Sequence, residues 1–503
     1  MAIRATWRPP WFAWTALWIV ALALTYKLKP DLLEGRLLAL TPVALAAGTL
    51  LLRWLWEQPP AVPMCGAIVL SIFSGAWSQI GLGGLPLDRL LLLVVLLQFL
   101  LHAPGVAYVP RPQLRNVHLL MGVLVVYAVG SAAAAQTLSN QTSSLLLLDQ
   151  LGAAPFLMYL LAPAIFSGRR ERNLLLASLV AVGLYLGFTA IFESLGPHLL
   201  VFPRYIAQVD RELPGERAGG PFQSSVTEGF ATFACAAAAV IAFRQWRGAR
   251  ARWLAAAGAC ACICGCFLTL ERSVWIAAVV AALLVALASS GGRRLLLPGA
   301  LACAIVLGGA LVVLPSLANK ASARASDERS VWDRKNQTAA GLRMVAAKPL
   351  LGFGWGRYTR DGLDYFRQAS DYPLSGFAPN AGGSSERPLP LHDTYLAYAV
   401  ELGLLGLALW LLTQLWGVAG AIFSRGSPEL RSWKLGLIAV AIFFFVVAAF
   451  NPYQQDFPVL LLWVWAGVAL GGPSLAEQQR ARANTRAAEV LHRPVPGLRP
   501  VEA

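Results

Sequence analysis

The stretch at residues 392–416, which reads HDTYLAYAVELGLLGLALWLLTQLW, decides the class of this protein. His392-Asp393 ends the polar segment 317–392, and an apolar run from Thr394 to Trp416 follows. Such a run can cross a bilayer, because about 30 Å of hydrocarbon needs roughly 17–25 helical residues. Elsewhere in the chain, stretches as long as the polar segment 317–392 are mostly apolar. The pattern predicts an all-α, polytopic membrane protein with one large extramembrane loop.

The composition leads to the same class. The 503 residues are 57% hydrophobic and 13% charged, and the mean hydropathy of +0.59 is far above that of a soluble domain. We expect about 12 to 14 transmembrane helices. Runs of suitable length lie near 11–26, 37–56, 62–80, 89–103, 116–134, 145–166, 173–193, 224–243, 253–270, 272–289, 295–316, 393–417, 434–450 and 457–471.

Positive charge in the short loops predicts the orientation. Arg and Lys concentrate at 169–172, 244–252, 293–294 and 425–434, which places these loops in the cytoplasm. Both termini then lie inside, and the segments 194–223 and 317–392 lie on the outer face. Arg4 and Arg8 precede the first run as in a signal peptide, but no small-residue cleavage site follows, so we expect an uncleaved helix.

This topology suggests three regions. Residues 1–193 would form N-terminal membrane helices. Residues 194–475 would form a second membrane region, which includes the outer loop 317–392 and the polar candidate residues described below. Residues 476–503, which are rich in arginine, are expected to be a disordered cytoplasmic tail.

Charge and cysteine content limit the partners. The net charge of +15 is mostly accounted for by the cytoplasmic loops and the tail, and nucleic acid is not expected to bind a chain with almost no soluble domain. The outer loop from Ala318 to Leu391 has eleven Lys and Arg against seven Asp and Glu, a balance that suits a phosphate-bearing ligand. The seven cysteines all lie in apolar runs, and those at 260, 262, 264 and 266 point in different directions on a helix. We therefore expect small packing residues, no metal site and no cofactor.

Two arginines lie where the chain enters or leaves the membrane on the outer face. Arg217 precedes Gly219-Gly220-Pro221, a loop that ends at a predicted helix N-cap, Ser224. It is either an interfacial anchor or, together with the helix amides, part of an anion site. Arg272 lies between two apolar runs and either neutralises Glu271 or binds an anion. The guanidinium fork suits phosphate oxygens.

The loop also contains a glycine-rich stretch, PLLGFGWGRY at residues 349–358. No strand precedes it and no Gly-Lys-Ser or Gly-Lys-Thr follows, so we expect a tight turn rather than a nucleotide site. An amphipathic helix is predicted before it, at 328–347, with Trp332, Leu342 and Val345 in the membrane interface. Further arginines of this region, which face either headgroups or substrate, are Arg329, Arg343 and Arg357.

The boundary at 392–395 has the remaining candidates. Asp393 and Thr394 can act as helix caps, and His392 can be a boundary residue. Histidine is also the side chain best suited to take a proton near neutral pH.

These motifs, in the order in which they occur along the chain, resemble those of the superfamily of O-antigen ligases and O-antigen polymerases. The resemblance covers roughly residues 200–420. The resemblance rests on Arg-x-Gly-Gly-Pro-Phe, Leu-x-Arg-Ser, Pro-Leu-Leu-Gly-Phe-Gly-x-Gly, and His-Asp-x-Tyr-Leu followed by Glu-Leu-Gly-Leu-Leu-Gly. The last block is the most specific. Asp393 and Glu271 depart from the family pattern, which often has Asn or Ser at the first position and a small polar residue at the second.

The resemblance implies a C-type glycosyltransferase of the bacterial inner membrane that uses neither a metal nor a nucleotide sugar. It would transfer a glycan from undecaprenyl diphosphate to an acceptor, either lipid A-core of lipopolysaccharide or another lipid-linked glycan, with inversion. His392 would be the base, and Arg217 and Arg272 would bind the diphosphate. Arg211 and Arg204 are alternatives if Arg217 is misaligned. The residues Arg211, Arg329, Arg343, Arg357, Asp393 and Tyr395 are further candidates for contacts with substrate or loop.

Other functions remain open. A ligase to lipid A-core is favoured over a polymerase of O-antigen or exopolysaccharide, because the His392 block is closest to the ligase pattern. Many apolar helices also suit a transporter of polysaccharide or lipid, but the candidate polar residues gather at one face rather than at the midplane. A non-catalytic assembly partner is a third possibility.

Overall fold

A computed structural model describes most of the chain. The described residues are 36–77, 79, 86–107, 109–208, 217–289, 291–294, 308, 318, 319, 322, 329–368, 391–425, 427–453 and 455–472. The first predicted span (11–26), almost all of the span at 295–316, Arg211 and the tail at 476–503 lie outside them.

The described part is built from helices and has no strand. The principal helices are α1 (Arg36–Glu57), α2 (Ala61–Leu70), α3 (Leu87–Leu100), α4 (Asn116–Ala134), α5 (Gln141–Gln150), α6 (Ala153–Ile165), α7 (Arg169–Leu195), α8 (Ser225–Gln245), α9 (Ala249–Leu268), α10 (Arg272–Ala288), α11 (Arg329–Ala347), α12 (Thr394–Ile422), α13 (Arg431–Ala448) and α14 (Phe457–Leu470).

The all-α polytopic class is confirmed. In the described residues, seven helical segments are long and apolar enough to cross a membrane, and three shorter apolar helices accompany them. Helix α4 has the bounds predicted from the sequence. The predicted span at 145–166 is instead interrupted between α5 and α6 at Leu151-Gly152. The amphipathic helix is confirmed as α11, which begins at Arg329.

The core lies around α14, in which all fourteen residues are buried. A helix that is apolar on every side belongs inside a bundle. Beside it, α7, α8 and α9 approach closely, since a Cβ at Gly183 would lie 2.6 Å from Cys262 Sγ and 2.8 Å from Cys235 Cβ. Both cysteines are buried and free, as expected of small packing residues.

The two ends of the bundle differ in what they carry. Helices α8, α10, α12 and α14 begin at one end, which we call the His392 end, and α7, α9 and α13 finish there. At the opposite end, the basic loops lie close to one another: Arg172 pairs with Glu429 at 2.8 Å, and Gln245 donates to Ser432 at 2.9 Å. The structure thus groups the loops as the charge pattern predicted.

The glycine-rich stretch and the Glu-Leu-Gly-Leu-Leu-Gly block form one structural unit. Gly403 interrupts the helical conformation of α12 with φ +70° and ψ 177°. The loop lies in this break: Phe353 N donates to Val400 O at 2.9 Å, and Leu404 N donates to Pro349 O at 2.8 Å. Irregular backbone at membrane depth is tolerated when its polar groups are paired inside the protein. The predicted tight turn is therefore a loop paired with a broken helix.

Gly403→Ala should strongly destabilise the protein. An alanine would need an unfavourable positive φ, and its Cβ would lie only 2.1 Å from Leu350 O. We expect a loss of roughly 3 kcal/mol or more, which corresponds to a fall in Tm of about 3 °C or more in detergent. Gly122→Ala in α4 is the matched control, because nothing lies within 4 Å of the added Cβ. Equal melting temperatures for the two variants would contradict this account of the break.

Candidate active site

Arg217 is positioned by the loop that follows it. Ala218 N donates to Leu268 O at 3.1 Å, which joins the loop to the end of α9. Gly219 N and Gly220 N donate to the two carboxylate oxygens of Glu193 at 3.3 and 3.0 Å. These amides therefore already serve a carboxylate of the protein. These bonds hold the loop that follows Arg217, whereas the predicted anion site made of Arg217 and the N-terminal amides of α8 stays a prediction.

The N-cap predicted at the start of α8 is confirmed. The Ser224 side chain accepts from Thr227 N at 3.3 Å, and the backbone of Ser224 is extended, as usual for a cap.

The junction of α9 and α10 brings a carboxylate to Arg217. Leu270 has a positive φ of +47°, and the chain turns there within two residues. Glu271 is the N-cap residue of α10. Glu271 is only 2% exposed. Its Oε2 accepts from Arg217 Nη1 at 2.8 Å. Arg272, the next residue, is half-buried at the first position of α10.

A third arginine reaches the same carboxylate. Arg334 on α11 donates from Nη2 to Glu271 Oε1 at 3.1 Å and lies 3.4 Å from Asn451 Oδ1. Glu271 is therefore held by Arg217 and Arg334, rather than by Arg272 alone as the simplest interpretation of the sequence suggested. Arg217 and Arg334 thus bring two guanidinium groups to this one carboxylate, and Arg272 follows it directly in the chain.

Helix α11 also holds His392. Gln337 lies one turn after Arg334, and residues three apart share a helix face. Its Oε1 accepts from His392 N at 3.2 Å and lies 2.8 Å from His392 Nδ1. Gln337 is buried, so the contact is shielded from solvent. The same face of α11 thus connects the arginine cluster to the histidine.

These contacts favour one tautomer of neutral His392. Because a backbone N–H can only donate, the Gln337 atom that it reaches is the amide oxygen. The same oxygen can accept a hydrogen bond from Nδ1–H, and in the neutral imidazole Nε2 is then the unprotonated nitrogen. An imidazole in this form can take a proton at Nε2.

A second set of hydrogen bonds closes the cluster through the turn after α13. Asn451 Nδ2 donates to Ser273 Oγ at 2.7 Å, and Thr394 Oγ1 donates to Asn451 O at 2.9 Å. Ser273 lies 3.4 Å from Glu271 Oε1. The start of α10, the start of α12 and the end of α13 are therefore fixed relative to one another.

Several further candidates contact the protein itself. Asp393 caps α12, with Oδ1 accepting from Leu396 N at 3.1 Å, and burial raises the pKa of its carboxyl. Tyr395 donates to Phe445 O at 2.9 Å and packs edge-on against Trp410. These contacts make both residues part of the framework of α12.

Two arginines of the loop region also contact the protein itself. Arg343 donates to Tyr365 O at 3.0 Å, and Arg357 donates to Ala135 O at 3.0 Å. Both are loop contacts. The backbone of Arg329 begins α11, and its side chain lies outside the described atoms.

The structure reveals site residues that the sequence analysis did not single out. They are Arg334, Gln337 and Asn451. A signal for two of them existed, because Arg334 and Gln337 are spaced to share one face of the predicted amphipathic helix. In the described ranges, no group of three or more His, Cys, Asp and Glu side chains lies close enough to hold a metal ion.

The part of the chain that contains most of these residues matches a known family. Residues 257–411 match the model of the O-antigen ligase family. This match confirms the resemblance to the O-antigen ligase superfamily. It extends over most of α9, all of α10 and α11, and α12 as far as Leu411. No curated protein matches the chain.

The segment that matches the O-antigen ligase family contains most of the candidate site. Arg272, Arg334, Gln337 and His392 lie within it, whereas Arg217 and Asn451 come from outside it. The chain is thus a multi-pass membrane protein with a segment similar to the O-antigen ligase family, and residues outside that segment complete the cluster.

Proposed function

We propose that this protein transfers a glycan from undecaprenyl diphosphate to an acceptor hydroxyl at the periplasmic face of the inner membrane, and that the acceptor is lipid A-core. The observation that carries the proposal is the connection, through one face of α11, of His392 to the arginines around the buried carboxylate of Glu271 at a single end of the bundle. The match to the O-antigen ligase family supports the reaction class.

The arginines would bind the diphosphate of the donor. Charge builds up on the diphosphate as the glycosidic bond breaks, and fixed guanidinium groups stabilise that charge without reorganisation. Glu271 keeps Arg217 and Arg334 in place at 2.8 and 3.1 Å, and Arg272 begins the adjacent helix turn. In this proposal the positive charge comes from arginine, so no metal is required.

His392 would act as the base. Its Nε2 takes the proton from the acceptor hydroxyl, the hydroxyl oxygen bonds to the anomeric carbon, and the bond from that carbon to the diphosphate oxygen breaks. Undecaprenyl diphosphate leaves with the electron pair. A single displacement of this kind inverts the anomeric centre. Gln337 keeps the proton on Nδ1, so that Nε2 stays available for the reaction.

The acceptor distinguishes a ligase from a polymerase. A polymerase holds two lipid diphosphates and would need a second group of arginines at this face. Arg343 and Arg357 donate to the backbone carbonyls of Tyr365 and Ala135 but keep their charge, so a second lipid diphosphate and a phosphorylated core acceptor can both use them. We propose lipid A-core as the acceptor because the His392 block is closest to the ligase pattern.

Deletion of the gene tests the proposal. Cells that lack a ligase should accumulate long glycan chains on undecaprenyl diphosphate, with none attached to lipid A-core, and a plasmid copy should restore attachment. Single repeat units, either on core or on the carrier, would instead identify a polymerase. Carrier-linked units confined to the cytoplasmic leaflet would identify a transporter. Either of the last two results would overturn the proposal.

A further inference from the structure

An open cavity of about 650 Å³ lies at the end of the bundle opposite His392. It is formed where α7 begins, α8 ends and α9 begins, and its lining includes Arg169, Asn173, Trp246, Arg247 and Leu254. Helix α8 runs from the candidate active site to this cavity. Its 21 residues correspond to roughly 30 Å, so the cavity is a separate site.

The surroundings of the cavity are strongly basic. Arg169 and Arg247 line it, and the adjoining turns contribute four further arginines, Arg170, Arg244, Arg250 and Arg252. Acidic groups offset little of this charge. Glu171 folds back against Gly168, and Glu429 is paired with Arg172 at 2.8 Å. The excess of guanidinium groups favours an anionic ligand, above all one with a phosphate.

One wall of the cavity is apolar and opens outward. Leu254 lines the cavity and is 57% exposed, and the neighbouring Trp253 is 75% exposed. Trp246 is half-buried in the lining. Tryptophan is typical of the level of lipid headgroups, and exposed leucine on a spanning helix faces acyl chains. The ligand therefore combines a phosphate with a hydrocarbon portion, as a phospholipid does.

Asn173 adds a preference among phospholipids. Its Oδ1 is buried and has no hydrogen-bond donor among the residues that the structure describes. A buried acceptor is costly unless a donor reaches it. The hydroxyl groups of a phosphoglycerol headgroup can donate to this oxygen, whereas a choline headgroup offers no hydroxyl.

We propose that this cavity binds the headgroup of an anionic phospholipid that carries hydroxyl groups, of which phosphatidylglycerol is the simplest. Arg169 and Arg247 contact the phosphate, Asn173 accepts from a headgroup hydroxyl, and an acyl chain lies along Leu254. Basic pockets between membrane helices are suited to such headgroups. Simple orientation of the helices by positive charge requires arginines but no cavity between them.

The test uses the full-length protein in detergent. Binding of phosphatidylglycerol, phosphatidic acid and phosphatidylcholine is measured by native mass spectrometry for wild type and for the double variant Arg169→Gln with Arg247→Gln. We expect the double variant to bind phosphatidylglycerol roughly 30-fold more weakly, since each arginine near a lipid surface contributes about fivefold. The matched control is Arg293→Gln with Arg294→Gln, an exposed pair at the same end, which should bind like wild type.

Two further measurements test whether the ligand is a lipid rather than a free phosphate, and whether Asn173 recognises the headgroup. Free glycerol 3-phosphate should not displace the lipid at equal concentration, because it lacks the acyl chains. Asn173→Ala should reduce the preference for phosphatidylglycerol over phosphatidic acid by several-fold. Equal loss of binding in the two arginine double variants, effective displacement by glycerol 3-phosphate, or equal binding of phosphatidylcholine would each overturn the proposal.

Discussion

Replacement of His392 by alanine should lower turnover by roughly 100- to 10,000-fold, the usual contribution of a positioned general base. The residue lies at the start of α12 and is only half-buried, so the bundle should fold without it. The measurement is the rate of glycan transfer from a purified undecaprenyl-diphosphate-linked donor to lipid A-core. A melting temperature equal to that of wild type serves as the folding control. Turnover within a few-fold of wild type would reduce His392 to a structural residue.

A variant of Gln337 distinguishes the catalytic role of His392 from a packing role. In Gln337→Glu, a carboxylate would lie next to Nδ1 and favour the protonated imidazolium. Since the base must be unprotonated, activity should then be lost at a higher pH than in wild type as the solution is acidified. Gln337→Leu has a similar size but cannot hold the proton on Nδ1, and it should lower turnover at every pH. An unchanged pH–rate profile in Gln337→Glu would argue against His392 as the base.

Arg217→Lys should be nearly as damaging as Arg217→Ala, with a loss of about 100-fold or more in turnover. Lysine keeps the charge but loses the planar fork that can contact Glu271 and a phosphate oxygen together. The same outcome is expected for Arg272→Lys. Arg204→Lys is the matched control, because Arg204 precedes the same loop and is exposed. A large loss in that variant instead would transfer the diphosphate-binding role to Arg204.

The effect of Arg217→Lys on turnover should also be measured in a protein that carries Glu271→Gln. If Arg217 only neutralised Glu271, removal of the carboxylate would make Arg217 dispensable, and Arg217→Lys would then have little effect. If Arg217 binds the diphosphate, the loss on Arg217→Lys should persist in the Glu271→Gln background. If Arg217→Lys does not lower turnover further in a protein that already carries Glu271→Gln, the diphosphate-binding role of Arg217 is refuted.

Local sequence was sufficient for many of the helices and for singling out the candidate residues His392, Arg217 and Arg272. Apolar runs of spanning length predicted helices such as α4, because crossing a bilayer imposes a length and a composition that no other segment has. His392, Arg217 and Arg272 stood out because polar residues at the boundary of an apolar run have few structural reasons to be there. Spacing alone, however, could not assign partners to them.

Long-range contacts were decided only by the tertiary structure. Glu271 and Arg334 are 63 residues apart, and Gln337 and His392 are 55 apart, so no local pattern joins them. The same holds for Gly403, whose break in α12 is stabilised by a loop some 50 residues earlier. The sequence by itself therefore determined an all-α membrane protein with candidate arginine and histidine site residues at one face. Packing of α10, α11 and α12 decided which carboxylate holds the arginines and which amide orients the histidine, because such pairs form only when distant helices are brought within hydrogen-bond distance.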